Sequence, residues 1–389
     1  MPRLAAPDSW PLRTRLGPLP VKPGSVRLVW FCLAVIALLP ILSALGTWKD
    51  WTDFWGAGHT VGTPSLMDWR LHEAWQTQQG FNPSPWRYPP AYALLFWPVS
   101  FLPVGVGFAI NTVVMLALIG VSGLLVARLF GLATAFGVSL AFAWTPALMA
   151  VDMGQNMPLA VVLALWAIDA LRRDRELEAG LAVGLLMYKP TLGLPLLGFL
   201  LLRRCWRAFE VAGVVCGVGY VLSVAAAAGD WLWPIAWWRG LESMAGLDLA
   251  VNSTKAVSVP TFLDLAPQTA GALALLAGAL VVVVSLRGLV RAPMVEAASA
   301  ACMIGLVAGP RVYSYETGML LPILAWAAAG GLSEPWRTRL LLVAPIVGLF
   351  WLLSPFTQLN SVTVVVFVAV LSWWRRWPPV ARAPRSLPA

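Results

Sequence analysis

Apolar residues in this chain come in long unbroken runs, and a run of this kind has few places to go except a lipid bilayer or a fully buried core. In hydrocarbon every backbone N–H and C=O must be satisfied within the segment, which makes each run a helix. With 59% hydrophobic and only 12% charged residues over 389 positions, the runs dominate the chain. The expected fold is therefore all-α, a polytopic membrane protein.

Thirteen apolar stretches are candidates for spans: 27–46, 88–103, 104–127, 129–150, 156–171, 179–189, 191–202, 208–228, 268–286, 294–309, 317–332, 340–355 and 360–374. Basic clusters follow several of them, namely Arg172, Arg173 and Arg175; Arg203, Arg204 and Arg207; Arg287 and Arg291; Arg337 and Arg339; Arg375 and Arg376. Placing these clusters and both termini in the cytoplasm puts most Lys and Arg inside. The net charge of +9 is thus a statement about topology, and nucleic acid is not an expected partner. Both ends on one side require an even number of crossings, about twelve. The stretch 88–103 is short, is bounded by prolines, and reads as a helix that dips in and returns. Residues 179–202 read as a hairpin with Tyr188, Lys189 and Pro190 at its tip.

The expected organisation is a cytoplasmic tail over 1–26, one integral-membrane domain over 27–375, and a cytoplasmic tail over 376–389. Larger outer loops fall at 47–87 and 229–266, and no short apolar core with a small-residue cleavage site marks a removable signal peptide near the start. Neither loop is large enough for an independent domain, so an active site would lie at the membrane surface. Cys32, Cys205, Cys216 and Cys302 are scattered without metal-ligand spacing. Many of the 22 tryptophans sit near span ends, as interfacial belt residues do.

Five outer-side segments, 47–87, 151–156, the Lys189 tip, 229–266 and 310–316, hold most of the unusual polar residues, and four constellations among them could carry chemistry. In "KDWTDFWGAGHTV", 49–61, Asp50 and Asp53 share a helix face beside Phe54, and carboxylates near hydrocarbon acquire raised pKa values suited to general-base work. Helix capping by either aspartate is the competing structural role. In "VDMGQNMP", 151–158, Asp152, Gln155 and Asn156 offer groups for sugar hydroxyls or a phosphate oxygen, and Gly154 allows close backbone approach. Asn156 also stands where an N-cap would. Lys189 is costly inside a bilayer unless it snorkels or finds a partner, and an ammonium at headgroup level suits a lipid phosphate. In "GPRVYSYETGMLLP", 309–322, Arg311 is a second candidate phosphate ligand, while Tyr315 and Glu316, with Tyr313, are candidate sugar-pocket residues. His59 and His72 lack a matched third ligand, so no metal and no other cofactor is expected.

Taken in order, "DWTDFWGAG", "YPPAYALLFWPVSFLP", "GQN", "AGLAVGLLMYKPTLGLPLL" and "GPRVYSYETGMLLP" resemble the motifs of the polyprenol-phosphate-dependent, multi-spanning GT-C glycosyltransferases of family 87, over residues 48–325. The resemblance implies transfer of one sugar, hexose or pentose, from a polyprenyl-phosphate donor to a lipid or glycan acceptor. The reaction would run at the periplasmic face of the inner membrane, with inversion and without metal. It singles out Asp50, four residues before the Phe of F-W, with Asp53 second, and brings Tyr88, at the start of its proline-rich motif, into the binding set. The late motif departs from the family's, with Ser314 and Glu316 at its acidic positions and Arg311 in place of a tyrosine. A transporter or flippase of lipid-linked sugars, and a polysaccharide polymerase or ligase using a diphosphate carrier, are the rival readings.

Overall fold

The computed structural model describes residues 50–84, 86–243, 267–309 and 312–331. The expected spans at 27–46, 340–355 and 360–374, both tails, Arg311 and residues 244–266 of the loop expected at 229–266 lie outside these residues. Everything described is helix, turn or connection, in keeping with the all-α expectation.

The chain enters through α1 (Trp51–Thr60) and α2 (Trp69–Gln78), then two four-residue helices, α3 (Pro90–Ala93) and α4 (Trp97–Ser100). The stretch expected to dip and return is thus a broken element, because prolines at 89, 90 and 98 start new helices and cannot continue old ones. Next comes α5 (Val104–Phe130), whose 27 mostly apolar residues span about 40 Å at 1.5 Å per residue. It is followed by α6 (Thr134–Ala143), α7 (Thr145–Met153) and α8 (Met157–Arg172). Two short helices, α9 (Glu176–Leu186) and α10 (Pro190–Leu202), flank the Met187–Lys189 turn, as the sequence predicts. The described chain continues through α11 (Trp206–Ala226), α12 (Trp233–Ser243), α13 (Pro267–Arg291) and α14 (Met294–Ala308). A 3₁₀ segment (Ser314–Leu320) and α15 (Leu321–Trp326) then lead into a π-helical turn, Ala327–Gly331.

Among the described residues, α5 and α11 are long and apolar enough to cross a membrane, and α6 with α7 makes a third if counted as one bent span. Two expectations are corrected here. The run 129–150 is not one helix: α6 and α7 meet at 57°, with Pro146 in the first turn of α7. The indole N–H of Trp144, at the bend, donates to the Thr317 carbonyl at 3.0 Å, so the break is stitched to the 3₁₀ segment. The run 317–332 is likewise divided between 3₁₀, α and π geometry, with Pro322 opening the α-helical part.

Small residues set how closely the helices pack. A Cβ on Gly180 would lie 2.3 Å from the Ala208 carbonyl oxygen, and one on Gly184 would lie 2.6 Å from Val215 Cβ, so this four-residue glycine spacing brings α9 against α11. Gly123 and Gly137 do the same between α5 and α6, where either Cβ would strike the other helix's backbone. At the centre, α8 buries nearly its whole surface, and its first residue follows Gln155 and Asn156 directly. That helix fixes one wall of the polar site, whereas α11 leaves Val214, Val218 and Val221 outward on a face suited to lipid.

Candidate active site

The site is built where five segments converge: the start of α1, the stretch before α3 that carries Tyr88, the turn after α7, the tip between α9 and α10, and the 3₁₀ segment. Gly154 makes the first junction possible. It has φ +78°, open to glycine at little cost, and a Cβ there would fall 2.7 Å from Trp51 Cβ. The close approach lets the Asp50 N–H donate to the Met153 carbonyl at 3.0 Å. Asp50 stands at the N-cap of α1, yet its side chain makes no capping bond. One oxygen, Oδ2, instead accepts from Gln155 Nε2 at 2.8 Å. Gln155 Oε1 in turn accepts from the Tyr88 hydroxyl at 3.1 Å.

From Tyr88 the network passes to the cation. Lys189 Nζ lies over the Tyr88 ring, 5.8 Å from its centroid, and over the Tyr315 ring at 5.3 Å. Its ion pair is with Glu316 Oε1 at 2.6 Å, and the two side chains are 9% and 3% exposed. Lys189 therefore does not snorkel: it is buried and neutralised. Glu316 has a second duty, since Oε2 accepts the Tyr313 N–H at 2.8 Å and closes the first turn of the 3₁₀ segment.

Asp53 is part-exposed in the first turn of α1. Burial of its carboxyl, and then the neighbouring Asp50 charge, push it up to about 7, with a Ser84 hydrogen bond and Arg87 pulling the other way. Asn156 makes no capping bond either. Its Oδ1 and its backbone carbonyl accept from the Tyr188 hydroxyl, at 3.3 and 3.2 Å, while Nδ2 is buried without a partner in the structure. Asp152 lies on the last turn of α7, half-buried. His59 stacks on Trp55 at 4.4 Å, and His72 is buried with Nδ1 against the Ser65 carbonyl. Among the described residues no three potential ligands gather for a metal ion.

Further aromatic side chains wall the site, Tyr92 among them, which the sequence alone does not single out. Tyr92 and Tyr188 stack at 4.3 Å, and Tyr88 stacks on Tyr188 at 6.2 Å, so the cation end is walled by aromatic faces. Phe54 packs on Tyr88 and on Phe96, at 5.4 and 5.0 Å. Tyr188 adjoins Lys189 in sequence, and Tyr92 lies four residues after Tyr88, so the same motifs carry them. Ser84 and Arg87 precede that motif in a segment that reads as plain loop.

A helical membrane protein with a carboxylate, an amide relay and a buried lysine joined in this way has the makings of an enzyme, and comparison with known proteins places it among membrane glycosyltransferases. The chain belongs to glycosyltransferase family 87, whose model matches residues 86–314. That match takes in Tyr88, Gln155, Asn156 and Lys189, with Asp50 and Glu316 outside it. Two relatives carry the description polyprenol-phosphate-mannose-dependent alpha-(1-2)-phosphatidylinositol pentamannoside mannosyltransferase. One, from Mycolicibacterium smegmatis, is 27% identical over 77% of this chain and 74% of its own. The other, from Mycobacterium tuberculosis, is 26% identical over 70% of this chain and 66% of its own. No solved structure matches.

Proposed function

We propose that this chain transfers a single mannosyl group from a polyprenyl-phosphate carrier to a lipid-linked glycan acceptor, at the outer face of the inner membrane. The observation that carries the reading is the continuous path from Asp50 through Gln155 and Tyr88 to Lys189, a base candidate and a phosphate-binding candidate held on separate segments of one fold. The mannose and the monophosphate carrier come from the relatives' names and not from the geometry.

In this reading Asp50 takes the proton from the acceptor hydroxyl as that oxygen attacks the anomeric carbon, and inversion follows from a single in-line displacement. Gln155 holds the carboxylate in place and sets which oxygen is left for the substrate. Asp53, whose proton leaves only near neutrality, keeps a second full negative charge from building beside it at lower pH. Lys189 meets the departing phosphate, stabilising the charge that grows on it, with Arg311 as a second cation. Asn156 Nδ2 is a buried donor of the kind that a sugar hydroxyl or phosphate oxygen satisfies. Asp152, Tyr315 and Glu316 are the remaining binding residues of this reading. Phosphate leaves readily, so the displacement needs no metal. The arrangement is of GT-C type with about twelve crossings, and the cytoplasmic basic clusters orient it.

The test is donor choice. Purified protein given polyprenyl-phosphate-mannose and a glycolipid acceptor should form mannosylated lipid, and the matching diphosphate donor should not serve. Turnover with the diphosphate alone would favour a polymerase or ligase. Movement of a lipid-linked sugar across liposomes without transfer would make the chain a flippase.

A further inference from the structure

We infer that Arg128, Arg172 and Arg173, gathered around Asp169, form a binding site for the headgroup of an anionic phospholipid in the leaflet opposite the candidate active site. Asp169 sits three residues before the end of α8, and its side chain is 4% exposed. Arg128, near the end of α5, reaches Asp169 Oδ2 through Nη2. Arg172 Nη2 lies 2.9 Å from Oδ1, and Arg173 Nε lies 3.2 Å from Oδ2.

One carboxylate thus anchors three guanidinium groups, and two positive charges are left over. Each arginine spends one nitrogen on Asp169, and no other side-chain bond of the three is found among the described residues. The three side chains are 47%, 36% and 37% exposed, so their remaining N–H groups reach outward. Arg175, next along, is occupied by Glu178, and the Asp174 carboxylate in the intervening turn lowers the local excess without removing it. Planar forks held by a buried anchor suit the oxygens of a phosphodiester, to which arginine binds through two nitrogens at once.

Position selects a lipid over a free anion. Val121 and Leu124 lie two turns and one turn before Arg128 on α5 and are 40% and 51% exposed, so a bare apolar surface runs straight into the basic cluster. A headgroup on the arginines would lay its acyl chains along that surface. The cluster is also far from the proposed donor site. Its anchor Asp169 lies towards the other end of α8 from Asn156, about 20 Å away at 1.5 Å per residue.

The experiment compares Arg172→Gln/Arg173→Gln with wild type in nanodiscs, scoring co-purified and added phosphatidylglycerol against phosphatidylcholine by native mass spectrometry. This variant keeps the Arg128–Asp169 tie between α5 and α8, and an unchanged thermal midpoint in pure phosphatidylcholine confirms that it folds. Removing two charges should weaken phosphatidylglycerol binding roughly 30-fold. The control, Arg204→Gln/Arg207→Gln, removes two exposed arginines elsewhere and should leave binding within about threefold. Equal losses in both variants, or no loss in the first, would overturn the site in favour of diffuse surface charge. Displacement of the lipid by millimolar glycerol phosphate would overturn the choice of a lipid occupant.

Discussion

Substitution of Glu316 by Gln isolates the part of the site that sequence alone did not connect. The change removes the counter-ion from Lys189 while keeping shape, and the amide oxygen can still accept the Tyr313 N–H that Glu316 accepts at 2.8 Å. What is lost is charge compensation between two side chains that are both under a tenth exposed. Breaking a buried pair by removing one member costs about 3–5 kcal/mol, because the survivor stays charged and unpaired. The preserved hydrogen bond and the two aromatic faces over Lys189 put the expected loss near the lower figure, about 3 kcal/mol, or more than 100-fold in the folding equilibrium. Unfolding followed in detergent should show this as a midpoint lower by several degrees. Polyprenyl phosphate should then raise the midpoint of the variant more than that of wild type, since its phosphate replaces the missing anion. A variant as stable as wild type would refute the energetic role of the pair. Equal stabilisation of both proteins by the lipid would remove Lys189 from the phosphate site.

Other outcomes follow from the same geometry. Lys189→Ala should weaken donor binding at least tenfold while leaving acceptor KM nearly unchanged, which initial-rate kinetics with each substrate varied will separate. Asp53, at about 7 against an ordinary 3.8, keeps in the folded protein a proton that the unfolded chain has already released between those values. Folded stability therefore falls as pH rises from about 4 to 7, and Asp53→Asn should flatten that slope in thermal midpoints taken across the range. Gly154→Ala forces a side chain into φ +78° and against Trp51, so a cost of about 1–3 kcal/mol and a displaced Asp50 are expected, read as lower stability together with lower kcat.

The sequence disclosed those features that arise from local composition. The run at 104–127 became α5 with a three-residue extension, and 208–228 became α11 shifted by two, because unbroken apolar helices need no partner to define them. Breaks were less legible. Pro146 and Pro322 are visible, but prolines are tolerated in buried helices, and whether one bends the chain depends on what holds the break in place. Beside Pro146 that hold is the Trp144 indole N–H donating to a carbonyl 173 residues away. The candidate residues were legible as types and not as a circuit. Asp50 and Asn156 looked equally suited to capping, and only the fold shows that neither caps. Lys189 demanded a partner, yet nothing local pointed to Glu316, 127 positions downstream, instead of to solvent.

Asp50 as the base of sugar transfer from a polyprenyl phosphate is open to direct measurement. Purified wild type, Asp50→Asn and Asp50→Ala should be compared in single-turnover mannosyl transfer from polyprenyl-phosphate-mannose, with donor binding measured alongside. If Asp50 is the base, the wild type transfers mannose, both variants are about 10²–10⁴-fold slower, and donor affinity stays within a few-fold of wild type. Wild-type rates in both variants would contradict it.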